Sequence, residues 1–212
     1  MPLDQNPRGR QAIVVTSAFN ALALLVGLLR IYTRVFIVRY FGVEDGFTAF
    51  VLICSVGLTV TIAIQAKYGL GEHISQLSLP TIENSLKAFY ASLIIYNLSL
   101  GLIKLSLLFQ YKRIFPTKRF QIACWIVMGI VSAHATWAVF GSVFACFPVD
   151  AFWLKTKEAT CLNQRAMWFT NAAINIFTDL VIIILPMPVV RSLNLEKRQK
   201  QALIAIFAIG GV

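Results

Sequence analysis

The chain has 212 residues, 58% of them hydrophobic and 13% charged, with a mean hydropathy of +0.74. Water-soluble domains run at about 45–50% apolar and about 25% charged, so this composition excludes a soluble enzyme. The net charge of +10 falls in short loops between apolar blocks, where lysine and arginine anchor helices at a membrane face, and nucleic acid is not expected as a partner.

The apolar residues come in blocks of about 20, the length a helix needs to cross about 30 Å of hydrocarbon. Residues 1–12 are polar, carry Arg8 and Arg10, and read as a short extracellular tail before a multi-pass membrane domain over 13–212. The first apolar run, Ile13 to Leu29, is too long for a signal-peptide core and lacks a small-residue cleavage site. It can continue to Val38 across Arg30 and Arg34. The second, Phe47 to Ala66, carries no charge, and the third, Ala88 to Phe109, contains Lys104. Phe120 to Phe144 forms the fourth. The fifth, Trp168 to Val190, contains Asp179 and finishes at Pro186 and Pro188. A sixth begins near Ala202 and meets Val212 after 11 residues, too few to span. The fold expected is an all-α transmembrane helical bundle, five complete spans plus a truncated sixth, in a chain incomplete at its C-terminus. Continuous rather than alternating apolar runs argue for helices over barrel strands.

Charge sets the expected orientation. Loops after the first, third and fifth helices hold 11 basic residues, among them Arg30, Arg34, Lys112, Arg113, Lys118 and Arg119. The other side, tail included, holds seven. That bias places the odd loops in the cytoplasm and the amino terminus outside.

Cys146 and Cys161 bracket the loop after the fourth helix, on the side where disulfides persist. A bridge between them, or two thiols free or paired elsewhere, are both open. Cys54 and Cys124 read as packing residues. The sequon Asn97-Leu98-Ser99 lies inside the third helix and is expected to be unused.

Gly-rich phosphate loops, serine elbows and paired-cysteine zinc sites are missing, so no enzyme activity, metal or cofactor is expected. The histidines are His73, in a loop, and His134, within the fourth helix, where packing is the ordinary role. The informative residues are intramembrane polar ones. Asn171, Asn175 and Asp179 fall four apart, with Thr178 adjoining, and share one face of the fifth helix. Asn97, Gly101 and Lys104 share a face of the third. Ionised side chains cost about 2.5–3.5 kcal/mol at a helix centre, so both stripes should face the bundle interior. Lys104 can reach inward to Asp179 or snorkel to the interface. The stripe can be interhelical glue or a ligand or ion pocket. After the third helix, Tyr111 and Arg113 lie in a basic, aromatic stretch that suits either an ordinary interface or a cytoplasmic docking surface.

In order and spacing these residues resemble the fungal rhodopsin-domain family of multi-pass membrane proteins, which includes receptor-like members of the Pth type. The resemblance runs through Arg30-Ile31-Tyr32-Thr33-Arg34, Gly42-Val43-Glu44-Asp45 and Tyr68-Gly69-Leu70-Gly71-Glu72-His73. It continues with Lys104-Leu105-Ser106, Tyr111-Lys112-Arg113-Ile114-Phe115, Cys146-Phe147-Pro148-Val149, Trp153, Cys161, Asn175, Asp179 and Leu185-Pro186-Met187-Pro188. It implies a seven-helix architecture, of which this chain is a fragment, with an outside amino terminus and a receptor-like role. Opsins hold retinal through a lysine of the seventh helix, a position that Lys104 does not match. No acid precedes Arg113 as in the acidic-Arg-Tyr triplet of animal receptors.

The function expected is a receptor-like plasma-membrane protein that senses a small-molecule or extracellular cue around Asn97, Lys104, Asn175 and Asp179. Its partners would be membrane lipid and a cytoplasmic signalling protein. The alternatives are a transporter or proton-coupled carrier using Asp179, and a structural membrane protein without a ligand.

Overall fold

The computed structural model describes residues 6–73, 77–154 and 159–192, with side chains through Val189. Helix α1 spans Pro7–Tyr32 and continues through a π-helical turn, Thr33–Ile37. It starts ahead of the expected Ile13, so Arg8 and Arg10 lie in its first turns. The reason is local. The Asn6 side chain accepts the Gly9 N–H at 2.8 Å and donates to the Leu70 carbonyl at 2.9 Å, while Pro7 opens the helix without needing a donor. The continuation toward Val38 is the one adopted. Beyond it Arg39 takes a left-handed φ of 53° and the chain turns back.

Helix α2 covers Val43–Lys67. Asp45 reaches back to accept the Gly42 N–H at 3.1 Å, the half of a capping box that a glycine N-cap permits. Gly69 and Gly71, at φ 86° and 95°, make the turn that follows, a backbone region that side chains resist. Helix α3, Leu79–Ile114, is 36 residues long and begins well before Ala88, because Pro80 in its first turn extends it through the polar stretch Thr81–Lys87. Helix α4 is Lys118–Val143. A small β-hairpin follows, β1 (Cys146–Phe147) antiparallel to β2 (Thr160–Cys161), with a 3₁₀ turn at Val149–Phe152. Helix α5 is Gln164–Ile184, and after a turn at Leu185–Pro186 a short α6 runs Met187–Ser192. Among the described residues five stretches are long and apolar enough to cross a membrane, the fifth running to Val189. The sixth apolar segment, from Ala202, lies outside the described residues.

Helix α3 is the centre of the bundle, packed between α2 and α4, with α1 against α2 and α5 against α4 and α3. Small residues set the closeness. A Cβ on Gly101 would lie 2.5 Å from that of Ala135 on α4, so glycine lets the two backbones approach as close helix pairs in lipid do. The apolar core, with Leu108, Cys124, Val131 and Ile182, sits toward one end of α3, α4 and α5. Phe19, Ile53, Phe169 and Phe177 point outward, as apolar side chains solvated by lipid do.

Candidate functional site

A polar seam runs along the contact of α3 with α4 and α5. Asn97 donates to the Leu93 carbonyl at 2.9 Å and to Ser142 Oγ of α4 at 3.1 Å, and its Oδ1 accepts from Asn171 Nδ2 at 2.9 Å. Two turns along, Lys104 Nζ lies 2.9 Å from the Asn175 carbonyl, 2.5 Å from Asn175 Oδ1 and 2.8 Å from Thr178 Oγ1. The same ammonium is 3.1 Å from Asp179 Oδ1. Thus the structure turns Lys104 inward, its side chain 5% exposed, whereas that of Asp179 remains 47% exposed. All five sequence-selected intramembrane residues come together in this seam. Helical spacing of four explains it, since one face of α5 presents each of its polar groups to α3 in turn.

Beside the seam lies a cavity of about 450 Å³, within the range of small-molecule sites. Phe89, Tyr96, Trp137 and Trp168 give it aromatic walls, Leu93, Leu100, Met167 and Ile176 apolar ones, and Asn97, Ser142, Asn171 and Asn175 a polar side. A small void of about 10 Å³ adjoins it, reaching Lys104 and His134. Asn171 Oδ1 and His134 Nε2 are buried there without a hydrogen bond of good geometry, although the two side chains are near enough to interact. The sequence reading left out the cavity's aromatics and Ser142. Trp137 and Trp168 occur where interfacial aromatics are common, so nothing in their spacing marked them. Among the described residues no three His, Cys, Asp or Glu side chains gather as metal ligands.

The hairpin loop lies over the cavity end of α3. Cys146 and Cys161 face each other across β1 and β2 and are joined as a disulfide. Phe152 packs against Phe89 and Tyr90, and Trp153 meets Tyr90 edge-on with ring centroids 5.5 Å apart. Tyr90 also donates its hydroxyl to the Val143 carbonyl at 2.8 Å. Because Phe89 lines the cavity, the bridged loop bears directly on its wall. Cys146→Ser is expected to lower stability by about 3 kcal/mol, the loop-closure value for a ring of about 15 residues. Thermal unfolding in detergent, followed by circular dichroism, would show the loss. An unchanged midpoint would mean that Phe152 and Trp153 hold the loop without the bridge.

At the opposite end of α3 a second set of charges gathers. Asp45, with a fully buried side chain, lies 3.6 Å from Arg30 Nε and 3.8 Å from Arg34 Nε. Arg113 donates to Glu44 at 2.8 Å and stacks on Tyr40 with its guanidinium carbon 3.9 Å from the ring centre. Ser106 Oγ donates to the Glu44 carbonyl at 2.8 Å. These contacts place the two residues expected to dock a partner. Tyr111 is 7% exposed, packed in the core with Leu108 and Phe115. Arg113 is held by Glu44 and Tyr40. Residue 111 follows Leu108 by three positions and shares its buried face, which the aromatic composition of the stretch concealed.

Comparison with known proteins adds an independent line. A family model described as "Fungal rhodopsin domain" matches residues 29–212. A "Polyenoic acids biosynthesis gene cluster protein Ba17b" of Metarhizium anisopliae is 27% identical over 96% of this chain and 57% of its own length. The "Receptor GIN3" of Arthrobotrys oligospora is 27% identical over 100% of this chain and 52% of its own. A "SAT4 family membrane protein" of Emericella nidulans is 29% identical over 70% of this chain and 40% of its own. The chain therefore spans about half the length of the curated relatives it matches. No solved structure gives a significant match.

Proposed function

The chain belongs to the fungal rhodopsin domain family, and from that premise we propose that it is a receptor-like plasma-membrane protein that senses a small molecule. The observation that carries this reading is the cavity between α3, α4 and α5, because its polar side is continuous with the Asn171–Asn175 stripe and the Lys104–Asp179 pair. A ligand that binds one arrangement of these helices better than another shifts the population between them. The far end of α3, tied through Arg113 and Ser106 to α2, then reports the shift to a cytoplasmic signalling partner. The similarity to a protein named as a receptor supports this role. The proposed placement has the disulfide loop and amino terminus outside the cell and the Arg30–Arg34–Arg113 end in the cytoplasm, within a seven-helix whole.

A carrier is the second reading, favoured by the intramembrane Lys104–Asp179 pair, since such groups mark ion and proton paths as well as binding sites. One experiment separates the two. In the full-length protein, Asp179→Asn and Ala172→Phe, the latter filling the cavity, are expected to reach the cell surface at wild-type level. Each should raise the cue concentration that gives half-maximal transcriptional response of the host by about tenfold or more, a binding loss of about 1.4 kcal/mol. Asp179-dependent substrate flux in proteoliposomes would instead establish a carrier. Normal response in both variants, with normal surface expression, would remove the cavity from the mechanism.

A further inference from the structure

The charge inventory of the cavity restricts what it can hold. Among the described residues no Asp, Glu, Lys, Arg or His lines it. The nearest cation, Lys104, already faces four oxygens, Asp179 Oδ1 among them, and has no surplus attraction to offer an anion. Asp179 is likewise engaged by Lys104 and is not a lining residue. A charged ligand would leave water without a countercharge, a transfer that buried sites do not tolerate unpaired.

The hydrogen-bonding inventory is also asymmetric. Asn97 gives both amide hydrogens to Leu93 and Ser142 and accepts from Asn171, so it has no donor to spare, and Ser142 donates to the Ala138 carbonyl while accepting from Asn97. Asn175 differs. Its Oδ1 accepts from Lys104, so its Nδ2 is left as a donor beside the cavity, and one turn away the Asn171 Oδ1, which also neighbours the His134 imidazole, has lone-pair capacity for an acceptor role. The tie to Lys104 also fixes which way the Asn175 amide points, because only the oxygen can accept from an ammonium. The remaining walls are faces and edges of Phe89, Tyr96, Trp137 and Trp168, surfaces that suit flat unsaturated bodies.

Building on the receptor reading, we propose that the cavity binds an uncharged lipophile with a flat unsaturated body and a single hydroxyl or carbonyl end seated at Asn175 and Asn171. The body lies among the aromatics and the polar end completes the amides.

The test uses the full chain in phosphatidylcholine nanodiscs and four pyrene probes of similar size: 1-pyrenemethanol, 1-methylpyrene, 1-pyrenecarboxylate and 1-pyrenemethylammonium. Energy transfer from tryptophan, corrected with protein-free nanodiscs, reads saturable binding. The alcohol is expected to bind about fivefold more tightly than the methyl compound, the worth of one net hydrogen bond. Both charged probes should bind at least about tenfold more weakly than the alcohol. Asn175→Leu should reduce the alcohol to the level of the methyl compound, and Asn175→Ser serves if that variant does not fold. Ala172→Phe should abolish saturable binding of all probes. A charged probe that binds as tightly as the alcohol, and loses binding in Ala172→Phe, overturns the ligand class while the cavity stands as a ligand site. Equal binding of alcohol and methyl compound overturns the role of the two amides. No saturable binding of any probe, or binding indifferent to Ala172→Phe, overturns both this assignment and the receptor reading on which it rests.

Discussion

Asp45→Asn is expected to destabilise the fold by about 3–5 kcal/mol, the cost of removing one partner from a buried ionic group. Asparagine is nearly isosteric and can still accept the Gly42 N–H, so the helix cap survives. What disappears is the negative charge that faces both Arg30 and Arg34 at 3.6 and 3.8 Å. Two guanidiniums at the junction of α1 and α2 then lose their ion-pair partner, and the nearby carboxylate that still acts on Arg34, Glu44, is already bonded to Arg113. Unfolding in mixed detergent micelles measures the loss. Arg30→Met should relieve part of it in the double variant, because one stranded cation is less costly than two. A double variant no better than Asp45→Asn alone would mean that Asp45 acts through its cap and not through the arginines.

Lys104→Met is the second large effect, expected to cost about 3 kcal/mol, the insertion penalty of an unpaired carboxylate at a helix centre. Methionine fills similar volume but donates nothing, so Asp179, the Asn175 amide oxygen and the Thr178 hydroxyl lose a common partner. Asp179→Asn in the same chain should recover much of the loss, since a neutral amide does not need the ammonium. Asp179→Asn leaves the buried Lys104 ammonium its three oxygens from Asn175 and Thr178, so it is the milder of the two changes and can test signalling without abolishing the fold. Equal destabilisation by the single and double variants would show that the ion pair contributes little and that Lys104 works through Asn175 and Thr178. The comparison needs only unfolding midpoints for four chains, and its coupling term is free of assumptions about the unfolded state that affect each variant alone.

Membrane character, helical class and the spans were legible in the chain because each follows from local properties. Twenty apolar residues in a row specify a span whatever surrounds them, and a spacing of four specifies one helical face. Thus Asn171, Asn175 and Asp179 could be assigned a shared face, and Lys104 an interior direction among two, without any knowledge of neighbours. Helix starts were legible less well. Pro7 and Pro80 extended α1 and α3 through polar residues that the hydropathy pattern alone assigned to loops.

The pairings were decided only by tertiary structure. Lys104 chose Asp179 over the interface because Gly101 lets α3 lie against Ala135 of α4 while the ammonium finds four oxygens of α5 within reach. Tyr111 went into the core and Arg113 to Glu44, although the two residues share one basic stretch, because they lie on different sides of α3. The cavity itself draws on α3, α4 and α5 at once. A void is a property of surfaces that fail to meet, and no spacing within a single helix can specify where three of them leave a gap.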